Sequence, residues 1–505
     1  MGEQWSQFVV RAVLGLFNAF ALIFYKRKLG EAYGNGVATW YAALQATQFH
    51  VIYYASRTLP NSFAFGLVTI ALGLFLPYPG AIKSQITRRW QVGTSLLVFA
   101  GIVFRAEVAL LLVPQFLLWL FQGEMDIRTF LSTAIGSALA SLLISIPIDS
   151  YYWRKLVWPE LSSILFNVVK GKSSEWGTSP WYTYFLIMLP KLLLNPISTA
   201  FNLFANFYEP LQVNYTRTAI PSWLFVGLYS FMPHKEARFI IYAVPGMTAA
   251  AALSANWIWT RRSKSILYRL FATIALVSVP LSFIAATGML FISSLSYPGG
   301  YALPSLMGHL IEANMTGPVK VHVDVLSCMT GVTLFEMEHP TAPPSLNVVN
   351  AWGNQINLTD SSKLSVQYSK EENQEKLLDP KYWAGIDYAL VENPALLIGN
   401  WELVETIYGY EKMELLRPDT GLANVSKIEI IDAIDSLFRP KVVNNLEEDW
   451  MLHPLVEELG PEGLLKEGIR KLVTRGWWYG PRMAARIHIL KRVSSGEGYQ
   501  EKVAV

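Results

Sequence analysis

The densest set of reactive side chains in the 505-residue chain is Pro233-His234-Lys235-Glu236-Ala237-Arg238-Phe239. Two cations, one carboxylate and one imidazole fall together there between two apolar runs. A solvated loop accounts for charges but not for packing them between apolar stretches, so the cluster reads as functional. Arg105 and Glu107 sit where two shorter apolar runs meet. Two residues apart, they do not share a helical face, yet a bent hairpin can pair them, as a structural ion pair or around a substrate. Thr47, His50, Tyr54 and Arg57 follow i, i+3, i+7, i+10 spacing, which predicts a polar face near one helix end. Hydrogen bonding between helices, with Arg57 as an interfacial anchor, explains the same pattern. Asp149, after Ile146-Pro147-Ile148, opens a long loop either as a helix-end residue or as part of a site. In that loop Trp153 and Trp158 suit a membrane-interface belt, whereas Trp176, in Ser173–Thr178, suits stacking on a sugar face.

Cations beside aromatic residues at a membrane surface suit a phosphate carried on a lipid. Glycosyl transfer from a polyprenyl phosphate needs positive groups where charge develops on the leaving phosphate, a role open to Lys235, Arg238 and Arg105. It also needs a carboxylate or imidazole to take the proton of the acceptor hydroxyl. The sequence carries no P-loop, Rossmann glycine pattern or D-x-D, and no His/Cys spacing typical of a metal site.

The elements that hold these residues are apolar. The chain is 52% hydrophobic and only 16% charged, below the roughly one quarter usual in soluble domains. The charged residues are scarcest in the first 300 or so, where apolar stretches recur between short polar breaks, the mark of a helical membrane protein. Ten transmembrane helices are expected, over 6–25, 36–56, 60–77, 91–104, 107–122, 129–148, 182–205, 219–232, 238–259 and 266–294. Basic residues gather in every second break, at Lys26–Lys28, Lys83–Arg89, Arg128 and Arg261–Lys264, so those breaks are expected in the cytosol. The segments holding His50–Asn61, Arg105–Glu107, Ile148–Tyr182 and Pro233–Arg238 then face the other side, as do both termini. Residues 1–295 read as a helical membrane domain and 296–505 as a lumenal region of mixed structure. The latter opens with a linker, SYPGGYALPS, followed by strands in VKVHVDVLSCMTGVTLFE, and carries an amphipathic stretch near Leu464–Val473. Of the N-x-S/T sequons, Asn314, Asn357 and Asn424 fall on the lumenal side and Asn214 in a cytosolic break. The net charge of +3 does not point to nucleic acid, and the single cysteine, Cys328, forms no intrachain disulfide.

FHVIYYASRTLPN, FRAEVALLL, DSYYWRKLVWPE, KSSEWGTSPW and LYSFMPHKEARFIIYAVP resemble the motifs of family-22 GT-C mannosyltransferases, nearest to the α-1,6 members that use dolichyl-phosphate-mannose. SYPGG and VHVDVLSCMTGVTLF resemble the start of the lumenal C-terminal part of such enzymes. The resemblance runs in unbroken order through residues 1 to about 335. It implies an all-α polytopic GT-C bundle in the endoplasmic-reticulum membrane with a mixed C-terminal domain. The implied reaction transfers mannose from dolichyl-phosphate-mannose to the dolichol-linked oligosaccharide of protein N-glycosylation, with inversion at the anomeric carbon. The lipid-linked sugar is a substrate, and no cofactor is implied. From their types and positions at the lumenal ends, His234, Lys235, Glu236, Arg238, Arg105, Glu107, Arg57, His50, Asp149 and Trp176 are the candidate substrate-binding residues.

In GT-C enzymes the acidic residue expected to serve as base lies in the first lumenal loop, after the first helix. The resemblance places that helix and loop upstream of Ser6–Val10, so an N-terminally shortened form is expected and the base stays unassigned. The present chain expressed alone is then expected to fail in complementation where a form with the upstream segment succeeds. Three other readings stand beside this one. They are an α-1,2-mannosyltransferase of the same family, in N-glycan or glycolipid-anchor assembly, an inactive fragment, and a transporter. A transporter is disfavoured because no internal repeat is evident and the polar residues gather at helix ends instead of the midplane.

Overall fold

A computed structural model describes residues 2–333, 364–418, 429–433 and 466–493. The chain divides into two compact units, Met1–Phe291 and Ile292–Val505.

The first unit is helical. It comprises α1 (Gly2–Tyr33), α2 (Asn35–Gln45), α3 (Phe49–Ala55), α4 (Pro60–Phe75), α5 (Lys83–Val103), α6 (Ala109–Phe121) and α7 (Ile127–Trp153). After them come α8 (Pro159–Ile164), α9 (Leu189–Leu193), α10 (Pro196–Phe207), α11 (Glu209–Thr218), α12 (Ile220–Tyr229), α13 (Val244–Thr260) and α14 (Ile266–Ser294). Its centre is α13, continuous with a 3₁₀ turn from Ala237, and 89% of the apolar window of this span is buried. The run Ala249–Ala252 is fully covered, because small side chains let neighbouring backbones come close. At Gly246 a Cβ would lie 2.5 Å from the Thr218 carbonyl oxygen, so only glycine allows α11 to pack at that distance. By contrast α7 is 11% buried over its apolar window and presents Leu131, Ile135, Leu139 and Leu143 outward. Apolar side chains exposed along a whole helix fit a lipid-facing position, and the chain is a membrane protein.

The count of ten spans is not confirmed by the structure. Among the described residues, four helices are long and apolar enough to cross a membrane, and six if each of two bent pairs forms one span. Those pairs are α3 with α4, bent by 112°, and the Tyr184–Leu193 stretch with α10, bent by 116°. Proline causes both breaks. Leu59 precedes Pro60 and Asn195 precedes Pro196, and a residue before proline is pushed out of the helical region. Asn195 then caps α10 by accepting the Ile197 and Ser198 N–H groups. The helix expected over 36–56 is also split. Thr47 returns its hydroxyl to the Leu44 carbonyl and Gln48 reaches Thr248 on α13 at 2.8 Å, so side chains replace the helix ladder there. Thr47 and Arg57 consequently lie outside α3, and the four-residue polar stripe is not one helical face.

In the second unit the expected linker is instead helical. Pro298 begins α15 (Gly299–Glu312), whose Leu303, Leu306 and Leu310 are buried. They pack with Val319, Val321 and Val323 of β1 (Gly317–Val323), the strand expected in this region. A helix at Val325–Met329 follows it where the alternating pattern had suggested further strand. The sheet is completed by β2 (Leu364–Ser369), β3 (Tyr388–Val391), β4 (Trp401–Leu416) and β5 (Trp478–Arg492), in the order β2-β1-β3-β5-β4. β1 is parallel to β2 and β3, whereas β5 runs antiparallel to β3 and β4. Part of the expected amphipathic stretch, Ile469–Val473, forms a π turn. Asn314 is exposed just beyond α15 with φ 48°, a left-handed conformation that asparagine tolerates. Asn214 lies within α11, and Asn357 and Asn424 fall outside the described residues.

Candidate active site

A cavity of about 740 Å³ in the first unit gathers six of the candidate residues: Arg105, Glu107, Trp176, His234, Glu236 and Arg238. They arrive from three stretches far apart in sequence. α5 ends at Val103 and the chain turns through Arg105 into a 3₁₀ turn, Ala106–Val108, that leads into α6. The 233–239 cluster follows α12, and the loop after α7 supplies the third wall.

Two ion pairs fix the charges. Arg105 Nε lies 2.8 Å from Glu107 Oε1, so the bent hairpin makes the pair that the spacing permits. The same carboxylate oxygen accepts the Asn61 amide at 3.0 Å, and that amide also approaches the Tyr242 hydroxyl at 3.1 Å. Only 6% of the Glu107 side chain is exposed, and its enclosed oxygen is met by both of these donors. Arg238 meets Glu236 at two points: Nη2 donates to Oε1 at 2.8 Å and Nε stands 2.7 Å from Oε2. The His234 ring nitrogen Nε2 is 3.1 Å from Glu236 Oε1. Burial alone would raise the Glu236 pKa, but hydrogen bonds from Arg238 and His234 more than offset it and hold the carboxyl below its usual range. Both guanidiniums also lie over the Phe239 ring, at 5.1 and 5.4 Å from its centroid.

A third carboxylate, Glu160, was not among the sequence candidates. It stands in the first turn of α8, directly after Pro159 at the helix start, a place where acidic residues are favoured. Its Oε2 accepts the Ala106 N–H at 2.8 Å, one of the donors left unpaired where the 3₁₀ turn begins. Burial raises its pKa; the Ala106 N–H and the Arg105 charge oppose that rise without cancelling it. An ionisable residue beside an apolar run was the available signal, the same one that marked Glu107. Asn167 and Tyr229 complete the polar wall.

The other candidates lie elsewhere. Lys235 is buried with its Nζ donating to the carbonyls of Ser179 (3.0 Å) and Met232 (2.6 Å), which turns it into the protein and out of the cavity. Arg57 stacks over Tyr53 at 4.5 Å, and His50 packs edge-on against Phe49 at 4.9 Å. Asp149 lies inside α7, which runs on to Trp153, and accepts the Ser145 hydroxyl at 2.6 Å. It neither opens the loop nor lines the cavity. Trp158 donates its indole N–H to the Ile102 carbonyl at 2.9 Å, a structural role. The site is therefore not the cation-rich pocket that the sequence suggested. Glu107, Glu160 and Glu236 face Arg105 and Arg238, with His234 beside them.

Such a site can grip a charged or hydroxylated ligand with groups already held in place, and Glu160 is the carboxylate least committed to a cation. No cluster of three or more potential metal ligands occurs among the described residues.

Comparison with known proteins gives this arrangement its context. Residues 2–301 match the Alg9-like mannosyltransferase family. The probable Dol-P-Man:Man(7)GlcNAc(2)-PP-Dol alpha-1,6-mannosyltransferase of Schizosaccharomyces pombe is 33% identical over 77% of this chain and 63% of its own length. The Dol-P-Man:Man(7)GlcNAc(2)-PP-Dol alpha-1,6-mannosyltransferase of Drosophila melanogaster is 35% identical over 66% of this chain. The chain spans under half, 46%, of that relative. ArnT from Cupriavidus metallidurans bound to undecaprenyl phosphate shows a TM-score of 0.48 at 12% identity, with 80% of this chain and 82% of that one covered. That likeness is too loose to equate the two folds. The family match takes in every residue of the cavity, and the chain belongs to the Alg9-like mannosyltransferase family.

Proposed function

We propose that the chain transfers mannose from dolichyl-phosphate-mannose to a dolichol-linked oligosaccharide, forming an α-1,6 linkage with inversion, at the endoplasmic-reticulum membrane in protein N-glycosylation. The observation that carries this reading is identity of 33% and 35% with two relatives that bear that activity in their names. Those names also favour the α-1,6 linkage over the α-1,2 alternative. The cavity supports the reading through its chemistry. A hydroxyl of the acceptor loses its proton as its oxygen attacks the anomeric carbon, and the lipid phosphate leaves with the bonding electron pair. Arg105 and Arg238 are the cations placed to meet that developing phosphate charge. Glu160, with its raised proton affinity, is the carboxylate in the cavity suited to take the hydroxyl proton, an alternative to the upstream acidic residue that the resemblance implies. Trp176, 68% exposed at the rim, offers a face on which a sugar ring stacks.

Lipid-linked oligosaccharides from cells deleted for the gene test this reading. Accumulation of the seven-mannose species is expected, and precursors of normal length would refute it. Reintroducing the gene with Glu160→Gln is expected to restore protein but slow transfer by about 10²- to 10⁴-fold, the usual loss for a missing general base. Unimpaired transfer by that variant would place the base elsewhere while leaving the transferase reading intact.

A further inference from the structure

We propose that the first unit carries a second binding site, for a phosphate-bearing anion, at the end of α5 and α6 remote from Arg105. A cavity of about 570 Å³ lies there, bounded by the α4–α5 connection, the first turns of α5, the residues just after α6, and Arg217 of α11. Arg89 and Arg105 are 16 residues apart on and just past α5, which at 1.5 Å per residue separates the two cavities by about 24 Å.

Among the lining residues the charge is not internally matched, and the nearby Glu31 of α1, which also acts on Arg89, is already paired with Lys28 at 2.6 Å. Lys83, Arg89 and Arg217 line the cavity, with Glu124 as the lone carboxylate among its lining residues. Glu124 is already engaged by Arg217 at 2.6 Å. Arg89 makes a long bond from Nη2 to the Gly73 carbonyl at 3.3 Å, and its Nε and Nη1 are buried with no hydrogen-bond partner among the described residues. The Nε of Arg217 is in the same condition. A guanidinium has five N–H donors in a fixed fork suited to phosphate oxygens, and leaving buried donors unmet is costly.

The surroundings preset the fork. Arg89 of α5 lies over the Tyr78 ring at 4.6 Å, and Lys28 of α1 approaches the same ring at 5.7 Å, so basic residues of two helices converge on one aromatic ring. The 21-residue α5 begins at Lys83 beside the cavity, adding the positive end of its dipole. Two cation-bearing fork donors, a lysine and a helix start around a space of this volume fit a phosphate group. It belongs either to an anionic lipid head group or to a soluble phosphate.

The test uses the full chain in nanodiscs and reads its thermal unfolding midpoint. One arm compares phosphatidylcholine discs with discs in which phosphatidylserine replaces part of the lipid. The other adds inorganic phosphate against chloride at matched ionic strength. The proposal expects the midpoint to rise by about 2 °C or more in at least one arm. A rise with phosphatidylserine alone assigns a lipid head group, and a rise with inorganic phosphate assigns a soluble ligand. Arg89→Gln is expected to abolish the rise. Lys83→Gln, at an exposed position where folding is not at stake, is expected to reduce it. No rise in either arm overturns the proposal, and so does a rise that Lys83→Gln and any folded Arg89→Gln protein keep in full, which would mark diffuse surface charge.

Discussion

The two ends of α5 and α6 solve opposite electrostatic problems. At the Arg105 end, three carboxylates face two guanidiniums, and every cation lining the cavity already has a carboxylate within 2.8 Å. At the Arg89 end, three lining cations share one lining carboxylate, and donor atoms of two arginines are buried without partners among the described residues. A cavity whose charges are matched holds its groups in fixed positions and selects ligands by geometry and proton affinity. One with surplus cations is complete only when an anion arrives. The lesson is that counting charged residues along a sequence does not tell which kind of site they form. The 233–239 cluster looked cationic until Lys235 turned inward to backbone carbonyls and Glu160 entered from another loop.

The largest effect that could break this contrast is expected at Glu107. Glu107→Ala removes the partner of Arg105 and of the Asn61 amide, leaving a mostly enclosed guanidinium without its ion-pair partner. Loss of one member of a buried pair costs about 3–5 kcal/mol, measurable as a lowered unfolding midpoint in detergent. The double change Arg105→Leu with Glu107→Leu should recover most of that loss. If Glu107→Ala alone is harmless, the Arg105 end is not held together by matched charge.

A smaller effect concerns pH. The Glu236 carboxyl is held below its usual range in the folded protein, so the folded state releases that proton more readily than the unfolded chain. Its contribution to stability is present above the unfolded glutamate pKa of about 4.3 and fades as pH falls through the lowered folded value. The stability difference between wild type and Glu236→Gln should therefore shrink on acidification below that point. A difference that is flat from neutral pH to pH 3 would contradict the ion pair with Arg238. Glu160 has the opposite sign: a carboxyl raised by burial becomes destabilising as pH climbs through the window between its unfolded and folded values.

The smallest effect sharpens the comparison at the other end. Glu124→Gln releases Arg217 from its 2.6 Å contact and widens the cation surplus. Partly exposed ion pairs contribute about 1 kcal/mol, so the affinity for the phosphate-bearing probe is expected to rise about two- to fivefold in a titration. Weaker binding would mean that Glu124 orients Arg217 and does not merely compete for it.

Much of the site was legible because ionisable residues are conspicuous between apolar runs. His234, Glu236, Arg238, Arg105 and Glu107 were all found that way, and the structure brings them to one cavity. Glu160 carried the same signal but stood in an aromatic loop whose course no periodicity reveals, so its place in the cavity was not foreseen. Lys235 was misread because a lysine three residues after Met232 and 56 after Ser179 gives no sign that its ammonium will bind their carbonyls. In the fold, hydropathy found the helices but not their breaks. Asn195-Pro196 and Leu59-Pro60 were visible as dipeptides, yet whether a proline kinks a span or reverses it depends on what the two arms pack against.

The sequence by itself determined that this chain is a membrane protein, which residues are expensive to enclose there, and which family it resembles, because composition and motif order are properties of the string. Tertiary structure alone decided which carboxylate meets which cation, which lysine leaves the site, and which arginine donor atoms are enclosed without a partner among the described residues. Pairing of charges depends on distances of a few ångströms between residues tens to more than a hundred positions apart, and such distances exist only once the helices have packed.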